Sequence, residues 1–207
     1  MTHTTPRYEF RVFGVKSINP FIEALKSLGQ AGKVRHISEI YLMTSGNNNH
    51  NIKIRNKRLD IKTLVMQENG LEQWNPEEVG TFPLLKDKIK NQIFPSLGVE
   101  SPVLDRDVYT LKQFMQELVL EDPDIIVALT EKERFAFEFE GCICEYAEVK
   151  INGALQRTLA IESENPDLVC RALEVLKLGE AHENVNYPKA LKRVLGLEID
   201  YDINKFF

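Results

Sequence analysis

NIKIRNKRLDIKTLV, residues 51–65, alternates charged and apolar side chains along two short segments. Because successive side chains of a β-strand point to opposite faces, residues two apart share a face. The charged residues that share a face in this way are Lys53 with Arg55 and Asp60 with Lys62. Asn56-Lys57-Arg58, between the two segments, predicts a tight hairpin turn. The stretch therefore predicts two antiparallel strands with one charged face and one apolar face.

The same spacing of charge recurs towards both ends of the chain. The further examples are Arg7-x-Glu9-x-Arg11, Lys132-x-Arg134 and Glu162-x-Glu164. Several strands with one charged and one apolar face indicate a barrel whose inner surface, the lumen, is charged. A lumen that contains Lys, Arg and Glu together suits a polyanion bound with a divalent metal ion.

The order of the predicted elements is a strand, a helix, three strands, an irregular stretch, three strands and helices. Asn152-Gly153 is a strong hairpin signal within the last group of strands. We predict an α+β fold, namely a closed antiparallel β-barrel, or tunnel, with flanking helices and a long central connection. The chain is predicted to be one tunnel domain over residues 1–207 with an inserted or lid-like segment over 69–120. Within that segment, residues 69–80 are predicted to form a loop because they contain two glycines and a proline.

Composition narrows the function classes. The 207 residues carry 26 basic and 31 acidic side chains, and the resulting net charge of −5 argues against nucleic acid as a partner. No run of about 18 apolar residues predicts a membrane span, and the first ten residues lack the apolar core of a signal peptide. Three cysteines do not make a disulfide framework, so we expect a reducing, cytoplasmic location.

Taken in order, these segments resemble the CYTH-like superfamily, the triphosphate tunnel enzymes that include thiamine triphosphatase and one class of adenylyl cyclase. The family opens with a Glu-x-Glu-x-Lys strand, and Arg7-Tyr8-Glu9-Phe10-Arg11 is similar to it. NIKIRNKRLDIKTLV looks like the family's Arg-x-Arg strand and the lysine-bearing strand that follows. Lys132 and Arg134 look like the family's later basic strand. The segment LAIESEN, which contains Glu162 and Glu164, looks like its Glu-x-Glu strand, and NYPKALKRVLG looks like its short closing helix.

The resemblance, which covers residues 7–68 and 124–195, implies a function. It implies that a small phosphorylated ligand lies in the lumen and that a bound Mg²⁺ or Mn²⁺ ion supports hydrolysis of a triphosphate. The implied catalytic residues, which are also the implied metal ligands, are Glu9, Glu162 and Glu164. The implied phosphate-binding residues are Arg11, Lys53, Arg55, Lys62, Lys132 and Arg134.

The sequence departs from the family's pattern at two places. Arg7 stands where the family has its first glutamate, which removes one carboxylate and adds a positive charge. The family also has an acidic residue on the strand before the last hairpin, and in this chain Glu145 or Glu148 is a candidate for it, or Ala147 occupies the position.

Two alternatives to an enzyme follow from these departures. The first is a non-catalytic module that binds a ligand or another protein and has lost the metal site. The second is a scaffold whose lumen charges pair only with one another. The sequence leaves open which triphosphate, nucleotide or polyphosphate is bound, and whether the chain forms a homo-oligomer.

Overall fold

The computed structural model of the chain describes residues 5–179 and 182–197. The strands are β1 (Arg7–Phe13), β2 (Gln30–Met43), β3 (His50–Arg55), β4 (Arg58–Glu68), β5 (Leu71–Thr81), β6 (Leu84–Leu85), β7 (Val108–Tyr109), β8 (Ile126–Phe139), β9 (Cys142–Ile151) and β10 (Ala154–Ser163). The helices are α1 (Asn19–Leu28), α2 (86–97), α3 (111–119), α4 (Pro166–Leu176) and α5 (Tyr187–Leu195), and α2 and α3 each contain a π-helical stretch.

Eight strands form one closed antiparallel barrel in the order β1-β10-β9-β8-β2-β3-β4-β5, with β5 pairing back to β1. The short strands β6 and β7 pair with each other outside it. The predicted fold class, an antiparallel tunnel with flanking helices, is confirmed. Within the described residues, no helix is long and apolar enough to span a membrane.

Two predicted hairpins are present with the backbone that such turns require. Asn56 and Lys57 both have positive φ, at 50° and 60°, in the two-residue turn between β3 and β4. Asn152 and Gly153, with φ of 45° and 91°, make the turn between β9 and β10. Positive φ at both central residues matches the twist of the flanking strands, so these turns set the register of the strands that carry the site.

The prediction of a loop over residues 69–80 is wrong, because Leu71–Thr81 is the strand that closes the barrel. Arg7 of β1 pairs with Trp74, so Pro76 lies just beyond the end of β1, where its missing N–H costs no bond to that strand. A register shift in the β4–β5 pairing accommodates Gly80, whose φ is 149°.

Two apolar clusters cover the outside of the barrel, and a third lies at one end of its lumen. Helices α1 and α4 cover the outer faces of β1, β8, β9 and β10, and helices α2 and α3 cover those of β2 to β5. In the third cluster, Tyr187 and Leu191 of α5 pack against Met43 and Ala147. The strand residues of this cluster lie on the faces that, further along the strands, carry the lumen charges. Helix α5 therefore closes one end of the tunnel.

Candidate functional site

A cavity of about 70 Å³ lies inside the barrel, several times the space that one water molecule needs. Its lining is unusually charged for a protein interior, with five basic and four acidic side chains. The lining residues are Glu9, Arg11, Glu39, Tyr41, Asn51, Lys53, Lys62, Trp74, Lys132, Arg134, Glu145, Glu162, Asn186 and Tyr187.

Arg11 is surrounded by three carboxylates from three adjacent strands. Its Nε donates to Glu9 Oε1 at 2.7 Å, Nη1 lies 3.6 Å from Glu145 Oε1, and Nη2 lies 3.9 Å from Glu162 Oε1. The side chain is 4% exposed. Burial alone would raise the pKa of Glu9, but the charges of Arg11 and Lys62 outweigh it and lower that pKa. Glu9 is therefore ionised and the four groups form one charged network.

Glu39 forms a second network on the opposite side of the lumen. Its carboxylate accepts hydrogen bonds from Lys132 at 2.5 Å, Lys53 at 3.0 Å and the Tyr41 hydroxyl at 2.9 Å. Arg55 Nη1 lies 3.8 Å away. Burial would raise the pKa of Glu39, but Lys132 and Lys53 hold it well below its ordinary value. One carboxylate thus fixes the positions of three basic side chains.

Tyr187, at the start of α5, lies between the two networks. Lys132 Nζ is 3.7 Å and Arg11 Cζ 4.7 Å from the centre of its ring, so both cations face the aromatic surface. Its hydroxyl is buried and has no hydrogen-bond partner among the described residues, and the same is true of Oδ1 of Asn51. Burial raises the pKa of Tyr187 to about 12, so the hydroxyl keeps its proton. The lumen therefore contains a donor, the Tyr187 O–H, that lacks an acceptor.

Asn186 attaches α5 to the barrel. Its side-chain oxygen accepts from the backbone N–H of Lys189 and caps the helix, and its Nδ2 donates to both oxygens of Glu72 on β5. Glu72 also accepts from the indole N–H of Trp74 at 3.1 Å. These bonds hold the helix, and with it Tyr187, at a fixed place in the tunnel.

Lys62 lies where the cavity continues towards one mouth of the tunnel. A second cavity of about 50 Å³ shares Lys62, Trp74, Glu9 and Glu162 with the first and extends to Arg7. Within residues 5–179 and 182–197, no carboxylate lies within ion-pair distance of the Lys62 amine. The departure of Arg7 from the family's pattern thus adds a basic group at the mouth, where Arg7 Nη1 lies 3.7 Å from Glu162.

The structure brings most of the predicted site residues together. Around the cavity lie Glu9, Arg11, Lys53, Lys62, Lys132, Arg134 and Glu162. Arg55 reaches the same network through Glu39. Glu164 is exposed, because β10 ends at Ser163 and the chain turns into α4. The roles of these residues in binding and catalysis stay predictions.

Several lining residues were not identified from the sequence. Glu39 and Tyr41 alternate along β2, but Glu39 has no charged neighbour two residues away, so the charge-pair pattern misses it. Of the two acidic candidates on β9, Glu145 lines the lumen and is an ion-pair partner of Arg134, whereas Glu148 pairs with Arg157 outside it. Trp74 and Tyr187 carry no sequence signal for this position, since helix docking and barrel closure place them there.

The residues present do not fit a resident divalent ion. The implied ligands were Glu9, Glu162 and Glu164, but Glu164 points away and the other two are both ion-pair partners of Arg11. Across the described part of the chain, no three His, Cys, Asp or Glu side chains are grouped so that they could hold a metal. The three predicted ligands are thus not brought together as one set.

Comparison with solved structures shows the fold. The chain is similar to HpAC1 from Hippeastrum, described as an adenylyl cyclase candidate with a dominant triphosphatase activity; the TM-score is 0.52, with 14% identity over 94% of this chain and 98% of that one. Two others are a conserved hypothetical protein from Pyrococcus furiosus (TM-score 0.48, 16% identity, 87% and 98% covered) and the capping-enzyme triphosphatase of Mimivirus (0.44, 10%, 85% and 90%).

Neither a protein-family model nor a curated protein sequence matches the chain. At 14% identity, the likeness to the Hippeastrum protein is one of fold. The predicted resemblance is confirmed for the fold alone, because the closed antiparallel barrel of this chain is similar to the fold of that protein.

Proposed function

We propose that the protein binds a small phosphorylated anion, namely a triphosphate, nucleotide or polyphosphate, inside the tunnel. The observation that carries the proposal is the convergence of five basic side chains on one enclosed cavity in which Lys62 has no carboxylate within ion-pair distance among the described residues. The buried Tyr187 hydroxyl, which has no acceptor in the part of the chain that the structure describes, supports it. A phosphorylated anion in the cavity would offer acceptor oxygens for both donors.

Binding would exchange partners within the lumen. Lys53 and Lys132 contact Glu39 at hydrogen-bond distance, and Arg134 contacts Glu145, so these cations are already oriented towards the cavity. A phosphate group competes with the carboxylates for the same N–H donors and carries more negative charge at neutral pH. The preformed positions of the cations lower the entropic cost of binding.

Hydrolysis of a triphosphate is the second candidate function. It is favoured by the dominant triphosphatase activity named for the Hippeastrum protein, which shares this fold. Such a reaction requires the phosphate charge to be neutralised, and the Mg²⁺ or Mn²⁺ ion that the sequence resemblance implies for this purpose does not fit the described lumen residues. The lumen itself offers fixed cations for the same purpose, and Lys62 and Arg134 would hold the phosphate chain in place.

Calorimetric titration with tripolyphosphate, ATP and thiamine triphosphate tests the proposal, with Lys62→Gln beside the wild type. We expect one of these anions to bind and Lys62→Gln to weaken that binding by about tenfold, which equals about 1.4 kcal/mol. Lys90→Gln is the matched control, because it removes the same charge from an exposed position on α2. Equal loss in both variants would indicate a general charge effect, and no binding of any anion would refute the proposal.

Phosphate release measured on the same samples separates an enzyme from a binding protein. Release from one anion that is lost in Lys62→Gln and retained in Lys90→Gln would establish hydrolysis in this lumen. Binding without release would establish the non-catalytic module. If the lumen charges pair only with one another, neither binding nor release will be detected.

A further inference from the structure

The environment of Arg11 distinguishes this lumen from a metal site. Glu9, Glu145 and Glu162, on β1, β9 and β10, all lie within ion-pair distance of one guanidinium. The strand register explains this convergence, because Glu9 is paired with Glu162 and Arg11 with Ala160, whose other neighbour is Glu145. The carboxylates therefore surround one point in the barrel, and a permanent positive charge occupies it.

Arg11 is held there by more than its ion pairs. Nη1 donates to Thr158 Oγ1 at 3.2 Å, and the Tyr187 ring covers the guanidinium at 4.7 Å. The residue is 4% exposed, and the pKa of the guanidinium is raised, since the charges of Glu9 and Glu162 outweigh its burial. An arginine stays protonated at any pH at which the protein is folded. Its charge is thus a built-in part of the lumen.

A divalent ion at this point would have to displace the guanidinium. Mg²⁺ is bound through carboxylate oxygens in near-octahedral geometry and loses its hydration waters reluctantly. Here Oε1 of Glu9 and Oε1 of Glu162 already lie 2.7 Å and 3.9 Å from Arg11, and displacing the guanidinium would leave a buried cation without its partners. The lumen is therefore built to keep its own cation.

We infer that Arg11 takes the place of a divalent metal ion in this tunnel, so that the phosphorylated anion is bound without one. Its first part, that Arg11 takes the place of the metal ion, follows from the contacts of Arg11 alone and involves no phosphorylated ligand. The second part rests on the proposed function, because it concerns how the anion is bound. Arg11 then acts as a positioning residue, which fixes the three carboxylates and leaves the remaining lumen cations to contact phosphate.

Mn²⁺ binding tests the first part without any phosphorylated ligand. We expect wild-type protein to bind no Mn²⁺ in the lumen, as followed by electron paramagnetic resonance and calorimetry. Arg11→Ala removes the cation that lies among Glu9, Glu145 and Glu162, while Arg134 and Arg7 still pair with Glu145 and Glu162. We expect this variant to gain a Mn²⁺ site at Glu9 and its two neighbouring carboxylates. Arg11→Lys keeps the charge and should gain none. Arg157→Ala is the matched control, because Arg157 pairs with Glu148 outside the lumen and its loss exposes no group of carboxylates.

Two results would overturn this part. One is Mn²⁺ binding by the wild type that is lost in Glu162→Gln. The other is a folded Arg11→Ala that binds no more Mn²⁺ than Arg157→Ala. If Arg11→Ala fails to fold in metal-free buffer, recovery of its circular dichroism spectrum on adding Mn²⁺ supports the inference, and the wild-type titration still decides it.

Titration with tripolyphosphate tests the second part, that the anion is bound without a metal ion. With excess EDTA, wild-type affinity should equal or exceed that with Mg²⁺, because Mg²⁺ neutralises part of the ligand's charge. Loss of about tenfold or more in affinity with EDTA would refute metal-free binding. If neither tripolyphosphate nor ATP nor thiamine triphosphate binds under either condition, the proposed function is refuted, and the Mn²⁺ result, with the role of Arg11 that it tests, still stands.

Discussion

Lys132 Nζ lies 2.5 Å from Glu39 Oε2, and the two side chains are only 4% and 1% exposed. This ion pair joins the neighbouring strands β8 and β2 on the lumen face of the barrel. Removing two charges from water costs several kcal/mol each, and the cost is recovered only when geometry and additional hydrogen bonds are good. The added bonds from Lys53 and Tyr41 to Glu39 meet that condition. The pair therefore stabilises the barrel only while it is complete.

Glu39→Gln is expected to lower the free energy of unfolding by about 3–5 kcal/mol, because it leaves Lys132 buried beside a neutral amide. The same change releases Lys53 and Lys132 from their carboxylate, so we expect tripolyphosphate to bind more tightly than it binds to wild type. Urea unfolding and calorimetry on one preparation measure both effects.

Glu148→Gln is the matched control for that substitution. Glu148 pairs with Arg157 on the outside of the barrel, where both side chains are about one-third exposed, at 35% and 30%. Exposed pairs of this kind contribute about 0–1 kcal/mol, so its loss should cost no more than that. A similar loss of stability in the two variants would contradict the importance assigned to burial of the lumen pair.

Glu39 also predicts how stability depends on pH. Burial raises the pKa of Glu39, whereas the charges of Lys132 and Lys53 lower it. The net effect places the pKa well below its ordinary value of 4.5. A carboxyl with a lowered folded-state pKa stabilises the fold above its unfolded pKa, and this contribution is lost as pH falls towards the folded value. We expect the free energy of unfolding to fall as pH is lowered from 4.5. Urea unfolding over a pH series should show a shallower fall in Glu39→Gln, and identical slopes would contradict the assignment.

Tyr187→Phe is expected to separate stability from binding. Within residues 5–179 and 182–197 the hydroxyl has no hydrogen-bond partner, so its removal should leave the melting temperature unchanged or raised. A hydrogen bond to a charged acceptor contributes about 1.5–3 kcal/mol, so tripolyphosphate affinity should fall by about tenfold to a hundredfold. Tyr146→Phe is the control, since that hydroxyl donates to Glu148 outside the lumen. Unchanged affinity in Tyr187→Phe would show that the ligand does not reach this hydroxyl.

The strand alternation was sufficient to predict the lumen face of β1, β3, β4 and β8. Lys53 and Lys62 share a face because a two-residue turn fixes the register between their strands, and both features are local in sequence. Glu164 has the correct parity for the lumen, but β10 ends at Ser163, so parity no longer determines where its side chain points. Local pattern thus predicts a face only as far as the strand continues.

The remainder of the site depends on contacts between distant parts of the chain. Pro76 led to the prediction of a loop where β5 lies. The local sequence does not show that the pairing of β1 with β5 ends at Trp74, before Pro76. Tyr187 is held in the lumen by helix contacts that include the bond from Asn186 to Glu72, more than a hundred residues earlier. Such placements follow from barrel closure and helix docking, which a short stretch of sequence does not predict.

Phe114→Ala tests the lid hypothesis for the segment 69–120. Phe114 of α3 is fully buried in the cluster that covers β3 and β4, with its ring 5.3 Å from that of Phe82. If the segment is a fixed cover of the barrel, the substitution should cost about 3–5 kcal/mol of stability and leave tripolyphosphate affinity unchanged, because the lumen lies on the other face of those strands. Urea unfolding and calorimetry measure the two quantities. A lid predicts instead that affinity changes and that α2 and α3 gain protection from hydrogen exchange when tripolyphosphate is added. Leu173→Ala in α4 is the control, since it opens the cluster on the other side of the barrel and should lower stability without altering exchange in α2 or α3.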